Sequence, residues 1–440
     1  MSLLLRNACI VTMNDRLEVV HGDVSIRDGR IAAIGGVPDA PHDRAIDCGG
    51  DYVLPGLIQT HIHLCQTLFR GYADDMPLMQ WLRTRVWPME AAHTPATLRA
   101  AARLATTELL ASGTTAVLTM ETVHDTEVVF EEVAASGMRA AIGKCMMDAD
   151  ADVPARLKER TQASIDESLA LRARWHGAAD GRIHAALAPR FAVSCTRELL
   201  EAVAVLSREH RALVHTHASE SQEEIAIVRA LSGGLSNLAY LDSLTLATPH
   251  LCAAHCVWAD EAEQQMLAAR DVKVMHCPGS NLKLGSGIAP VVEMRRKGIT
   301  VSLGADGAAC NNRLDMFEEM RLAALLQAVR LQPGALTARD ALWMATRAGA
   351  RTLGLEHEIG SIEVGKKADL ISVRRQDVHL APDTDPYSTL VYASRGSDVR
   401  TTIVDGVVLV DGGEPVRTSR LDVSAAAAEA ARTVASRAGI

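Results

Sequence analysis

Several histidines in this chain close strand-like runs, and an aspartate closes another. The run VLPGLIQTHIH ends on His61 and His63, spaced i, i+2. In an extended strand, residues two apart face the same side, so both imidazoles can aim at one point. ALVHTHAS supplies His215 and His217, with Glu220 just beyond; HLCAAHCV delivers His255, VKVMHCP delivers His276, and TVSLGADG reaches Asp306. A zinc-type divalent cation takes nitrogen and oxygen donors and, in a catalytic site, leaves one position for water. His61, His63, His217 and Asp306 supply such a set. His217 is preferred to His215 because it shares its strand end with Glu220, whereas His215 lies one pleat deeper. A cation held there would acidify water towards neutrality. Asp306 is then placed to take a proton, Glu220 to give one to a ring nitrogen, and His255 to hydrogen-bond the attacking oxygen. Each group also has a plainer reading: Asp306 as a helix cap, Glu220 as a solvated charge in SESQEE, His255 as a satisfied core residue. The agreement of five separate runs favours the metal site.

These groups can meet only if the runs are parallel strands ending on one face. From Leu57 onward, apolar runs alternate with longer helical stretches, the texture of repeated βα units. Strands are predicted over 57–63, 114–120, 139–146, 182–190, 212–219, 250–257, 272–278 and 300–307. Helices are predicted over 95–111, 126–135, 196–209 and 314–329. Eight units predict a (β/α)₈ barrel over residues 57–358, with the active site at the C-terminal ends of its strands. Residues 1–56 read instead as short strands with Asp-Gly and Gly-Gly turns. β character returns in GSIEVGKKADLISVRRQ and in TTIVDGVVLVDGGEPV, a hairpin turned at Asp405-Gly406. Residues 1–56 and 359–440 are therefore predicted to form one small β-sandwich domain beside the barrel. The Ala-rich tail, 422–440, is predicted to be a helix, packed on the barrel, on a neighbouring subunit, or frayed.

Composition narrows the function classes. A net charge of −9 and the lack of a long basic run argue against a nucleic-acid surface. No stretch reaches membrane-span length, and the N-terminus, MSLLLRNACIVTMND, carries no secretion signature. The nine cysteines are scattered and odd in number, which suits buried thiols in a reducing cytoplasm better than a disulfide framework. Cys252 and Cys256 stand too far from other donors for a zinc knuckle.

PGLIQTHIH, HTHASE, AHCVW, HCPGSNLKLGSG and GADGAACNN together resemble the amidohydrolase superfamily, in the branch holding adenosine-type nucleoside deaminases, guanine deaminases and s-triazine hydrolases. The resemblance spans nearly the whole chain, including the GKKADL turn. It implies metal ligation by His61, His63, His217 and Asp306, proton transfer by Glu220 and a polar contact from His255. Binuclear relatives carry a carboxylated lysine at the end of the fourth strand; Arg190 stands here, so one divalent metal is expected, zinc or alternatively iron. Lys144 reads as a residue behind the ligands or a substrate contact. The family also implies a homodimer or homotetramer. The substrate signals point two ways. Glu90, in WPMEAAH, matches a ribose-binding glutamate of nucleoside deaminases. Arg190 and Phe191, with Gln66, resemble the purine-holding set of guanine deaminases; equally, Arg190 pairs with a barrel carboxylate and Gln66 with backbone. Cys310 lines the pocket in this reading. Trp81, Trp87 and Met89 form a lid or simply dock a loop, and Arg156 is a candidate for a substrate carboxylate. The expected reaction is hydrolytic deamination of an aminated N-heterocycle. A 5′-modified adenosine is the first expectation, a guanine-like base the second and a triazine the third. A non-catalytic scaffold of the same fold would have lost ligands, and all four are present.

Overall fold

The computed structural model describes residues 2–37, 41–149 and 153–440. Two sheets organise it. The barrel sheet is parallel, and its first three strands, Leu57–His63, Thr114–Met120 and Arg139–Met146, fall where the sequence places them. The next four, Ile183–Pro189, Val214–Ala218, Leu251–His255 and Lys273–His276, are shorter than expected. The eighth pass is split. Val301–Leu303 pairs with the seventh strand, and Asp306–Gly307 crosses to pair with the first, closing the ring.

The split has a steric cause. At Gly304 a Cβ would lie 2.4 Å from the His61 carbonyl oxygen, so only glycine lets the eighth pass come this close to the first strand. Beneath the strand ends, Ile58, Leu118, Ala141, Ala254 and Met275 pack in one apolar cluster with Ala350 and Leu353 from the chain after the eighth strand.

The helices begin where capping side chains can stop the strand-to-helix loop. Thr196 accepts from the Leu199 amide at the start of Arg197–His210, and Asp315 accepts from Phe317 at the start of Met316–Arg330. The cover between the first strand and helix Pro95–Ala111, expected from Trp81, Trp87 and Met89 as a lid or a docked loop, is helical. It runs through short helical pieces, Leu64–Phe69, Leu78–Trp81, Leu82–Val86 and Trp87–Ala92.

The second sheet joins both ends of the chain in one nine-stranded mixed sheet, eight strands on a single path and Arg44–Asp47 paired beside it. Tyr52–Pro55 lies in its middle, between Ser2–Val11 and Leu370–Val373. Leu5, Ile10, Val24, Ile31, Leu370 and Ile403 share its apolar core. The chain passes from this sheet into the barrel through Gly56, where a Cβ would overlap Thr115. The C-terminal helix, Arg420–Ala438, buries Val423, Ala427, Ala430 and Val434, a helical stripe packed on Pro95–Ala111 and Trp87–Ala92. Among the described residues, no helix is long and apolar enough to cross a membrane.

One ion pair ties the two sheets together. Arg139, at the start of the third barrel strand, donates Nε to Asp369 Oδ2 at 2.7 Å and Nη2 to Oδ1 at 3.0 Å, with both side chains buried. Removing one partner strands a buried charge. Asp369→Ala should cost about 3–5 kcal/mol in urea unfolding, and pairing it with Arg139→Met should restore most of that loss.

Candidate metal centre

The barrel brings four side chains from distant positions to one point. His61 and His63 follow the period of two on the first strand, and both are buried. Asp306 registers opposite Ile62, so its carboxylate reaches between the two imidazoles. Asp306 Oδ1 lies 3.3 Å from His61 Nε2 and 3.2 Å from His63 Nε2. His63 Nε2 lies 3.3 Å from His217 Nε2. One ligand atom from each of the four residues falls within 4.8 Å of all the others.

The outer ring nitrogens set the tautomers. His63 Nδ1 donates to the Met120 carbonyl at 2.8 Å, and His217 Nδ1 donates to the Arg190 carbonyl at 2.7 Å. In a neutral ring this leaves the lone pair on Nε2. The two Nε2 atoms therefore face each other beside a carboxylate oxygen. His61 Nδ1 meets His215 Nε2 at 2.6 Å, and its own Nε2 is buried without a hydrogen-bond partner among the described residues. An electron-rich cage of this kind fits a divalent cation. Burial holds His61 down to about 4 and His217 well below its ordinary value, so both rings are neutral at pH 7. Burial pulls His63 the same way, but the Asp306 carboxylate outweighs it and the net shift is upward. Burial would raise Asp306; the His61 and His63 rings overcome it and keep the carboxyl well below the usual range.

The backbone is bent to present these groups. Ser219, His255, Cys256 and Asp306 all have positive φ, at 53°, 69°, 47° and 62°, a region that non-glycine residues rarely enter. The Gly307 amide donates to Asp306 Oδ1 at 2.7 Å and supports the turn.

A single segment after the seventh strand orients the remaining groups. Ser280 Oγ donates to Asp306 Oδ2 at 2.7 Å, Asn281 Oδ1 accepts from His255 Nδ1 at 2.8 Å, and Ser286 Oγ donates to Glu220 Oε1 at 3.3 Å. His255 Nε2 is 3.5 Å from Glu220 Oε2 and 3.9 Å from Asp306 Oδ2. Burial pushes the Glu220 carboxyl up to about 7. Sequence reasoning quoted this segment, HCPGSNLKLGSG, only as a family motif and gave its serines and asparagine no role. It missed Glu121 altogether: this buried carboxylate receives the Leu64 and Cys65 amides at 3.0 Å each and pins the turn directly after His63. A lone glutamate in METVH carries no signal for that.

His63, Gln66, Trp81, Leu82, Arg190, Phe191, His217, Glu220, Leu284 and Asp306 wall the adjoining pocket, with Leu78. Glu90 stands just behind, receiving Gln66 Nε2 at 2.9 Å and Arg190 Nη1 at 2.6 Å. Trp87 and Cys310 lie outside this wall: Trp87 is fully buried in the cover, and the Cys310 thiol turns onto the Gly307 carbonyl at 3.2 Å. Met89 is also buried in the cover's core. Lys144 points away from the centre, into Glu159 at 2.6 Å and Ser164 at 3.3 Å. Arg156 pairs with Asp125 at 3.4 Å. His276 lies buried with both ring nitrogens unpartnered among the described residues. His124, Glu159 and Glu167 form a second donor group, but the Lys144 ammonium already neutralises Glu159 there.

Residues 52–409 match the Amidohydrolase family. The chain belongs to the amidohydrolase family. It is 42% identical to a 5′-deoxyadenosine deaminase of Methanothermobacter thermautotrophicus, over 90% of each chain. It is 40% identical to a 5-methylthioadenosine/S-adenosylhomocysteine deaminase of Desulforudis audaxviator, over 94% of each. Its fold superposes on an adenosine deaminase from Xanthomonas campestris with bound zinc at a TM-score of 0.92, with 32% identity, covering 99% of this chain and 98% of that one.

Ser280 is the most accessible test of how this amidohydrolase holds its cage. Ser280→Ala should weaken zinc binding to chelator-stripped protein roughly 10–100-fold by calorimetric titration. The urea midpoint should stay within about 0.5 M of the parent.

Proposed function

We propose that this amidohydrolase is a deaminase of 5′-modified adenosines, converting the ring amine to an oxo group and releasing ammonia. The observation that carries the reading is the facing pair of Nε2 atoms on His63 and His217, 3.3 Å apart beside Asp306, with Glu220 and His255 next to them. Relatives of about this similarity are named 5′-deoxyadenosine deaminase and 5-methylthioadenosine/S-adenosylhomocysteine deaminase.

One divalent cation per chain, zinc in the first instance, would be held by His61, His63, His217 and Asp306, and when bound it acidifies water and strengthens its attack on the amine-bearing carbon. Asp306 accepts the proton that water gives up; Oδ2 is held ready by Ser280 Oγ. Glu220, protonated near neutral pH, donates to the ring nitrogen beside the attacked carbon. His255 Nε2, between Glu220 and Asp306, hydrogen-bonds the attacking oxygen. The proton held on Asp306 passes to the amine, which leaves as ammonia, and the hydroxyl proton of the adduct returns to Glu220, so one water is consumed and one ammonia released. Phe191 and Trp81 present apolar faces to the ring. Glu90 reads the ribose hydroxyls. All nine cysteines are free and buried, which supports a reducing, cytoplasmic setting.

An ammonia-release screen across 5′-deoxyadenosine, 5′-methylthioadenosine, S-adenosylhomocysteine, guanine, a pterin and melamine tests the reading. Turnover of the adenosines supports it; turnover of guanine or melamine alone overturns the substrate. Asp306→Asn should cut kcat at least about 1,000-fold and leave less than half a zinc per chain by metal analysis. Because Glu220 must be protonated to act, kcat/KM should fall as pH rises through about 7. Glu220→Gln should lose about 100-fold or more and flatten that limb.

A further inference from the structure

Arg190 occupies the end of the fourth barrel strand, where its backbone and its side chain serve different neighbours. Its carbonyl accepts from His217 Nδ1 at 2.7 Å and from the His217 amide at 3.0 Å. Its guanidinium turns the other way, to Glu90: Nη1 donates to Oε2 at 2.6 Å and Nη2 to Oε1 at 3.2 Å. Gln66 Nε2 adds a third donor, to Oε1 at 2.9 Å.

We propose that Arg190 is a positioning residue: its guanidinium, with the Gln66 amide, fixes the Glu90 carboxylate in the orientation that reads the sugar hydroxyls, and it does not contact the heterocycle. The inference rests on the nucleoside reading above.

Three observations support it. A fork-to-fork pair fixes both the position and the plane of a carboxylate, which a single hydrogen bond does not. Each terminal nitrogen of Arg190 gives one N–H to Glu90, and Nη1 is flanked by Cys145 Sγ at 3.9 Å and Met147 Sδ at 3.8 Å, so the edge of the guanidinium that holds both terminal nitrogens is turned to Glu90. The pair is also nearly inaccessible to water, with side-chain exposures of 5% and 2%. Glu90 could not stay there as an anion without a partner. Of its two oxygens, Oε1 already receives two donors and Oε2 only one, which leaves the Oε2 lone pair for an incoming hydroxyl.

The same arrangement separates sugar recognition from the cation cage. Any residue at position 190 keeps the carbonyl contact to His217, whereas only arginine supplies the fork. Losing the side chain should therefore affect how a ribonucleoside binds and leave the ligands in place.

A double-mutant cycle tests this. Arg190→Gln, Glu90→Gln and the double variant are compared on 5′-deoxyadenosine and on its 2′,3′-dideoxy analogue, with zinc content measured on each protein. Arg190→Gln is expected to lower kcat/KM for the ribonucleoside about 30-fold, mainly through KM, and to add less than about threefold once Glu90 is already glutamine. The dideoxy analogue should change less than about threefold, with one zinc retained. An equal loss in both backgrounds, or an equal loss on the dideoxy analogue, would place Arg190 on the base and overturn the assignment. If Arg190→Gln does not fold, Arg190→Lys keeps the charge without the fork and should show the same ribose-specific rise in KM; an unchanged KM overturns the proposal. A parent enzyme that deaminates free bases and no nucleoside would sink the nucleoside reading itself, whereas nucleoside turnover with an additive cycle would sink only the role of Arg190.

Discussion

Like charges and lone pairs brought together inside a protein repel one another, and this fold brings together three imidazole nitrogens and a carboxylate oxygen. Hydrogen bonds from His63 and His217 to backbone carbonyls remove the option of turning the lone pairs outward. The split eighth strand sets Asp306 between His61 and His63. What relieves the repulsion is positive charge at the centre, and a cation with four donors does so best. Much of the surrounding structure serves to hold that unfavourable arrangement. Glycine at 304 allows the close approach of two strands, left-handed backbone sits at His255 and Asp306, and the buried carboxylate of Glu121 grips the turn after His63.

The chemistry around the cage is arranged by elements that carry no donor to it. The segment from Pro278 to Gly287 holds Asp306, His255 and Glu220 through Ser280, Asn281 and Ser286. Glu319, on the helix after the eighth strand, in turn receives the Gly279 amide at 3.0 Å and the Asn311 side chain at 2.8 Å. The cover from Leu64 to Ala92 contributes the apolar wall and Glu90. The strand ends thus hold the four donors, and a separate cover closes one side of the pocket beside them.

The barrel and the cage were legible in the sequence because each depends on short-range pattern. Period-two spacing announced His61 with His63, and alternating apolar and helical texture announced the eight passes. The sixth and seventh strands were each expected to end two residues late, at Val257 and Pro278, where apolar character continues past the last ladder bond. The cover was legible only through Trp81, Trp87 and Met89, because four short helical pieces leave no periodicity to read. Partners were the least visible feature of all. Glu90 and Arg190 stand 100 residues apart and pointed towards two different substrates; only their contact makes them one device. Lys144 read as a residue near the ligands, yet the pleat turns it towards the outer helix.

Everything said about water activation and deamination requires a cation where the four donors meet. Anomalous diffraction at the zinc edge, on crystals of chelator-stripped and zinc-reloaded protein, locates it directly. The account predicts one strong peak per chain, within bonding distance of His61 Nε2, His63 Nε2, His217 Nε2 and an Asp306 oxygen. A cage without a peak, or a peak only beside His124, Glu159 and Glu167, would contradict it.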